Sequence, residues 1–134
     1  DMKNILIGLI ALATAYSCCD HNISESSNKL NDGNKWEVND DMKIHIIQGE
    51  DIFQAYVSED KSDYKALANE LKDQNNKLIE SCSMTGQSHD ELHKWLMPHL
   101  ELVDKLGNSE SKEEAKKHIS DLKLSYQQYN LHFK

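Results

Sequence analysis

Apolar residues recur every three or four positions in four stretches of the chain between residues 36 and 134. This spacing puts the apolar side chains on one face of an α-helix, where they can pack together. Four helices are therefore predicted, over about residues 40–57, 62–82, 88–107 and 111–133. The second helix has the clearest apolar face, formed by Tyr64, Leu67, Ala68, Leu71, Leu78, Ile79 and Cys82.

The third and fourth helices also carry signals at their ends. Ser88 with Glu91, and Ser111 with Glu114, have the spacing of a capping box, in which each side chain bonds to a backbone N–H near the other residue. Gly107 is a residue type favoured just past a helix end. The predicted connections are only four or five residues long, which forces neighbouring helices to run antiparallel. We predict an all-α protein with an antiparallel up-down-up-down four-helix bundle.

The first 17 residues have the pattern of a secretory signal peptide. A short basic start is followed by the apolar run 5–15, which is too short to cross a hydrocarbon core of about 30 Å as a helix. Small Ala15 and Ser17 directly before Cys18 resemble the lipobox of bacterial lipoproteins, in which the cysteine thiol receives diacylglycerol and becomes the new N-terminus. The resemblance implies that residues 1–17 are removed and that Cys18 is lipidated, with ordinary secretion as the alternative.

The following residues, 18–35, contain little that is apolar and are rich in Asn, Ser, Asp and Gly. They cannot bury enough surface to offset the entropy of the chain, so a disordered tether is expected. The predicted organisation is a signal peptide over 1–17, a lipid anchor and tether over 18–35, and the bundle over 36–134. Such a protein would sit in the cell envelope, on the periplasmic side, held by its lipid to either the inner or the outer membrane.

Composition and charge narrow the class of protein further. One Pro and five Gly among 134 residues favour helices over strands joined by tight turns. The formal net charge of −8 repels phosphate backbones, so nucleic acid is not an expected partner. An enzyme is not expected either, because no nucleophile has a base at a recognisable spacing and no Gly-rich phosphate loop is present.

Sulfur and imidazole side chains concentrate at one end of the predicted bundle. An up-down-up-down arrangement brings together the starts of the first and third helices and the ends of the second and fourth. The residues that the sequence places there are Met42, His45, Cys82, Met84, His89, His93 and His132. All seven are soft or borderline metal ligands, so this end is the candidate site.

Four of these residues form the predicted metal site: Cys82, Met84, His89 and His93. The two histidines are one helical turn apart and share a face, which we expect to be the inner one because Leu92 and Leu96 continue the same stripe.

Thiolate, thioether and imidazole together suit copper(I), and Cys with two His would also accept zinc. We predict copper, with Met42, His45 and His132 as further candidate ligands. The alternative is that these side chains only fill the core or form hydrogen bonds at the bundle end.

Residues 36–134 also resemble, in architecture, the periplasmic four-helix b-type cytochromes, which hold haem between a Met early in the first helix and a His late in the fourth. Met42 stands in the matching place, and the closing sequence LKLSYQQYNLHFK resembles the final turns of that family. Asn130 occupies the position of the axial histidine, and the nearest histidine is His132. The resemblance implies haem b between Met42 and His132. Covalent haem is excluded because no Cys-x-x-Cys-His is present.

Three functions follow from these observations. The leading prediction is a lipid-anchored envelope protein that binds a metal, with copper sequestration or delivery as its purpose. The second is a haem-binding electron carrier of the b-type cytochrome kind. The third is a scaffold or adaptor that docks another envelope protein, with Trp36 and Trp95 as anchors, since Trp95 is expected to lie off the main inner stripe of its helix.

Overall fold

The computed structural model describes residues 28–134, and within this range it contains four α-helices and no β-strand. The helices are α1 (Asp40–Ser58), α2 (Tyr64–Glu80), α3 (Gly86–Gly107) and α4 (Lys112–His132). The predicted all-helical, four-helix fold is confirmed. The predicted signal peptide and Cys18 lie outside the described residues. None of these four helices is long and apolar enough to cross a membrane.

The helix starts show which capping signals operate. Ser111 Oγ accepts a hydrogen bond from the backbone N–H of Glu114 at 3.1 Å, so the predicted capping interaction of α4 is confirmed. The capping box predicted at Ser88 is wrong, because α3 begins two residues earlier, with Thr85 as its N-cap. The Glu91 carboxylate is consequently free to bond elsewhere.

Each helix packs on the next helix along the chain, and all four contribute to one apolar core. The largest apolar side chains that are fully buried are Met42, Phe53, Leu71, Leu78, Leu92, Leu106, Leu122 and Phe133. Burial of one such side chain contributes about 1.5–3 kcal/mol, so this core is the main source of stability for the domain.

Aromatic rings form a continuous column through the bundle. His99 on α3 lies between Trp95 and Tyr126, with ring-centroid distances of 4.7 and 4.8 Å. Tyr126 reaches Phe53 of α1 at 5.5 Å, while Trp95 reaches Tyr129 at 4.9 Å. These large side chains therefore join α1, α3 and α4 through a continuous series of ring contacts, of which the Trp95–His99 pair is stacked and the others are tilted or edge to face.

Both tryptophans are buried, which differs from the expected exposed anchors. Trp95 is 4% exposed and its indole N–H donates to the carbonyl of Ser125 at 2.8 Å. Trp36 is 8% exposed and donates to the carbonyl of Lys29 at 2.7 Å. The placement of Trp95 off the inner stripe is wrong because the apolar face of α3 runs through Leu92, Trp95 and Leu96 together.

The predicted disordered tether extends to residue 35. In the structure, ordered backbone contacts already occur before residue 36. Residues 31–34 form a tight turn closed by two backbone hydrogen bonds of 2.8 Å between Asn31 and Asn34. Asp32 and Gly33 at its centre both have positive φ, at 48° and 84°, as an Asp-Gly hairpin turn requires. The structure thus gives the described part of the tether, residues 28–35, a defined backbone.

The two ends of the described chain are paired with each other. The Trp36 N–H donates to the carbonyl of His132 at 2.8 Å, and the Lys134 N–H returns a bond to the Trp36 carbonyl at 2.9 Å. The Val38 N–H then donates to the Lys134 carbonyl at 3.0 Å. This short ladder holds the entry to α1 against the end of α4.

His99 makes the fold sensitive to acid. Burial lowers the pKa of His99 to about 3, whereas in the unfolded chain it is about 6.5. Below pH 6.5 the unfolded chain takes up a proton that the folded protein does not, so this histidine lowers the free energy of unfolding by about 2 kcal/mol between about pH 7.5 and pH 5. We expect His99→Phe, which keeps an aromatic ring at this position, to lose about 2 kcal/mol less free energy of unfolding than the parent between pH 7.5 and pH 5. Urea unfolding of both proteins at pH 7.5 and pH 5 measures this difference. If the free energy of unfolding fell equally in the parent and the variant, the role of His99 would be contradicted.

Candidate metal centre

Three of the predicted ligands lie close together at the connection between α2 and α3. Cys82 comes two residues after the end of α2, and its Sγ lies 3.4 Å from Nε2 of His89. The rings of His89 and His93, on successive turns of α3, pack edge to face with their centroids 4.3 Å apart. We call these three residues the thiol–imidazole cluster.

The loop that carries Cys82 is tied to the start of α1. The Asn39 side-chain amide donates to Ser83 Oγ at 2.9 Å, and Ser83 Oγ donates to Asp41 Oδ1 at 3.0 Å. Because Ser83 is adjacent to Cys82, these two bonds restrict where the thiol can lie. The cluster is thus positioned by α1 and α3 together.

The spacing of the thiol and the imidazole suits a shared ion. Zinc binds thiolate sulfur at about 2.3 Å and imidazole nitrogen at about 2.0–2.1 Å, which puts the two donor atoms about 3.5 Å apart at a tetrahedral angle. The observed separation of Cys82 Sγ from His89 Nε2 is 3.4 Å. The separation of the two donor atoms is therefore compatible with one shared ion.

The cluster faces outward, contrary to the expectation that both imidazoles point into the core. His93 and Cys82 are exposed, and His89 is half-buried. The inner face of α3 instead contains Leu92, Trp95, Leu96, His99, Val103 and Leu106. His93 follows Leu92 by one residue, or about 100° around the helix, so burial of Leu92 turns His93 towards solvent. Cys82 is exposed because α2 ends before reaching it.

The remaining candidate ligands occupy different surroundings. Met84 and Met42 are 6% and 2% exposed and belong to the apolar core. His45 on α1 is half-buried, and its Nδ1 has no hydrogen-bond partner. His132 is bonded through Nδ1 to the carbonyl of Gln128 at 2.8 Å. In the described part of the chain, no group of three or more His, Cys, Asp or Glu side chains is arranged to hold a metal ion as it stands.

The two residues predicted as axial ligands of a haem, Met42 and His132, each have protein contacts of their own. Met42 fills the core, and the imidazole of His132 is held on the last turn of α4. Trp36 and Phe133 are buried at the same end of the bundle, where the two chain ends pair.

A buried carboxylate, that of Glu91, holds the N-terminal segment against the helix turn that carries the two imidazoles of the cluster. Glu91 is 5% exposed; its Oε1 accepts from Lys94 at 2.7 Å, while Oε2 accepts from the Asn28 amide at 3.1 Å and the Lys29 N–H at 3.2 Å. The Asn28 amide also donates to the Glu91 carbonyl at 2.7 Å. Burial alone would raise the pKa of Glu91, but the hydrogen bonds outweigh it and hold the pKa below its ordinary value.

Sequence reasoning did not identify this brace. It assigned Glu91 to a helix cap and residue 28 to a tether, because each assignment followed from the local pattern. The two residues are 63 positions apart in the chain, and their hydrogen bonds depend on the tertiary fold.

No family model, curated protein or solved structure matches this chain. The case for a function therefore rests on the chemistry of the residues described above.

Loss of the brace should release the N-terminal segment. Asn28→Ala removes the amide that donates twice to Glu91, and hydrogen bonds to charged groups contribute about 1.5–3 kcal/mol. We expect faster amide hydrogen exchange over residues 28–38 and little change in the helices. Asn31→Ala, at an exposed position of the same segment, is the matched control. Equal exchange in the two variants would show that the Asn28 amide does not hold the segment.

Proposed function

We propose that this protein binds a metal ion at the thiol–imidazole cluster, with Cys82 and His89 as the first two ligands and His93 as the third. The observation that carries the proposal is the 3.4 Å separation of Cys82 Sγ and His89 Nε2. His93 is exposed and packs against His89, so its ring can turn towards a shared ion without disturbing the core.

Copper(I) is the metal we propose. A thiolate and two imidazoles are the soft and borderline donors that copper(I) accepts, whereas a structural zinc site has four protein ligands. Met84 would supply a thioether only by leaving the core, where it is 6% exposed. We keep it as the candidate fourth ligand.

Exposure of the cluster favours delivery of the metal over its storage. Both Cys82 and His93 are exposed, so a ligand from another protein can approach an ion held there. We infer that the role is binding and transfer of the metal, because the Cys82 thiol and the His93 imidazole lie on an open surface of the protein.

We further propose that the bundle has up-down-up-down topology. The connections between the helices are residues 59–63, 81–85 and 108–111. Such short connections leave consecutive helices antiparallel. The hydrogen bond from Tyr64 OH, at the start of α2, to the Ser109 carbonyl, after the end of α3, is consistent with this topology.

We also propose that Cys18 carries the lipid and that the domain lies on the periplasmic side of the cell envelope. The support is the resemblance of Ala15, Ser17 and Cys18 to a lipobox after an apolar run. Asn28 is ten residues beyond Cys18, and a fully extended chain spans at most about 3.3–3.6 Å per residue. The cluster would then lie within some tens of ångströms of the membrane.

Titration with copper(I) in the presence of a competing chelator tests the metal site. We expect one equivalent to bind the full chain carrying Cys18→Ser and Cys19→Ser, which removes the two other thiols. In that chain, Cys82→Ser or the double variant His89→Ala, His93→Ala should weaken binding by more than about 10- to 100-fold, the usual cost of losing an outer-shell partner. His132→Gln, at a histidine held by Gln128, is the matched control and should bind as the parent does. Unchanged affinity in the double variant would rule out this cluster.

Labelling of growing cells with a fatty-acid analogue tests the anchor separately. The Cys18→Ser variant should lose the label and be released from the membrane fraction, because only a thiol at that position accepts diacylglycerol. The adjacent Cys19→Ser variant is the control and should keep both the label and its membrane location. Membrane release without any labelling in the parent would instead indicate ordinary secretion.

A further inference from the structure

The thiol–imidazole cluster has too few donors to surround an ion. Cys82 Sγ and His89 Nε2 are 3.4 Å apart, and His93 packs against His89. Met84 belongs to the apolar core, and among residues 28–134 no group of three His, Cys, Asp or Glu side chains is arranged to hold a metal ion. A tetrahedral ion takes four ligands. An ion held at this exposed cluster therefore has a coordination position open to a ligand from outside the described residues.

The N-terminal end of the described chain is fixed close to the cluster. The side-chain amide of Asn28 donates to the carbonyl of Glu91 at 2.7 Å and to its Oε2 at 3.1 Å. Glu91 is two residues from both His89 and His93 on α3. The dimensions of an α-helix and of a hydrogen-bonded asparagine side chain then put Asn28 at most about 20 Å from the imidazole of His89.

Cys19 stands nine residues before Asn28 in the sequence and lies outside the described residues. Nine residues span at most about 30 Å when fully extended, so a thiol at this position can reach the cluster. A tether this short keeps its end group at an effective concentration in about the millimolar range, which favours binding within one chain over binding between chains.

We propose that the thiolate of Cys19 is a further ligand of the ion held by Cys82, His89 and His93. The inference rests on the proposed metal site and names the ligand that the described residues do not supply. A thiolate is a soft donor, and its proton is released to solvent when the metal binds. Unlike Met84, which would have to leave the core, Cys19 can bind without any change in the packing of the bundle.

The same bond would couple metal binding to the position of the domain. Cys19 is adjacent to Cys18, the residue proposed to carry the lipid. An ion bound by both Cys19 and the cluster would hold this end of the bundle close to the membrane surface, and loss of the ion would release it.

Titration with copper(I) against a competing chelator, under reducing conditions without oxygen, tests the role of Cys19. The full chain carrying Cys18→Ser is compared with the chain that also carries Cys19→Ser, and we expect at least about tenfold weaker binding in the second. Ser24→Ala in the first chain is the matched control and should bind as that chain does. Equal affinity in the two chains would overturn this inference and leave the cluster standing, whereas no binding by either would remove both proposals.

Protection of the thiols from iodoacetamide, located by peptide mass spectrometry, shows which of them bind the ion. Copper(I) should protect both Cys19 and Cys82 in the Cys18→Ser chain, and Cys19 should lose protection when His89→Ala and His93→Ala are added. Protection of Cys82 alone would contradict the role of Cys19. Sedimentation of the copper-loaded chain as a dimer would show that Cys19 binds an ion on a second copy and would overturn the site within one chain.

Two thiolates and two imidazoles are also a set that zinc accepts, so the titration is repeated with zinc. We expect Cys19→Ser to weaken the binding of copper(I) by the larger factor, because copper(I) is the ion selected by soft thiolate ligands. A loss confined to zinc would overturn the assignment of Cys19 to a copper site.

Discussion

The rotational setting of α3 is the constraint on which the rest of the structure depends. Leu92, Leu96 and Val103 must be buried against the other helices, because their burial supplies much of the free energy of folding. Because each residue turns the helix by about 100°, that requirement also fixes the direction in which the side chains between these positions face. It puts Trp95 and His99 inside the bundle and His93 on the surface.

This setting explains why the soft ligands form a surface cluster. If the two imidazoles had faced the core, they would have competed with leucines for buried positions, and a metal there would have been enclosed. Instead the end of α2 at Glu80 leaves Cys82 outside the helix and opposite His89. Because the cluster is exposed, another protein could reach a metal held there, and this is the basis on which delivery rather than storage is proposed.

Some of the buried side chains in the bundle are polar. His99 is fully buried yet bonds through Nδ1 to Ser125 Oγ at 2.8 Å, and Glu91 is buried with four hydrogen bonds to its carboxylate and carbonyl oxygens. Each of these groups has a partner from another element, so each favours one arrangement of the helices over alternatives that would leave it unpaired.

The amino-acid sequence by itself determined the number of helices, their approximate bounds and the capping of α4 at Ser111, because these depend on spacing and on interactions within one turn. It also brought Cys82, His89 and His93 close, since only a short loop separates them. The tertiary structure decided which way those side chains face and that Trp95 is buried. It also decided that Asn28 binds Glu91 across 63 positions. The physical reason is that a helix of mixed polarity can be rotated by a fraction of a turn with little local cost, and only packing against its neighbours selects one setting.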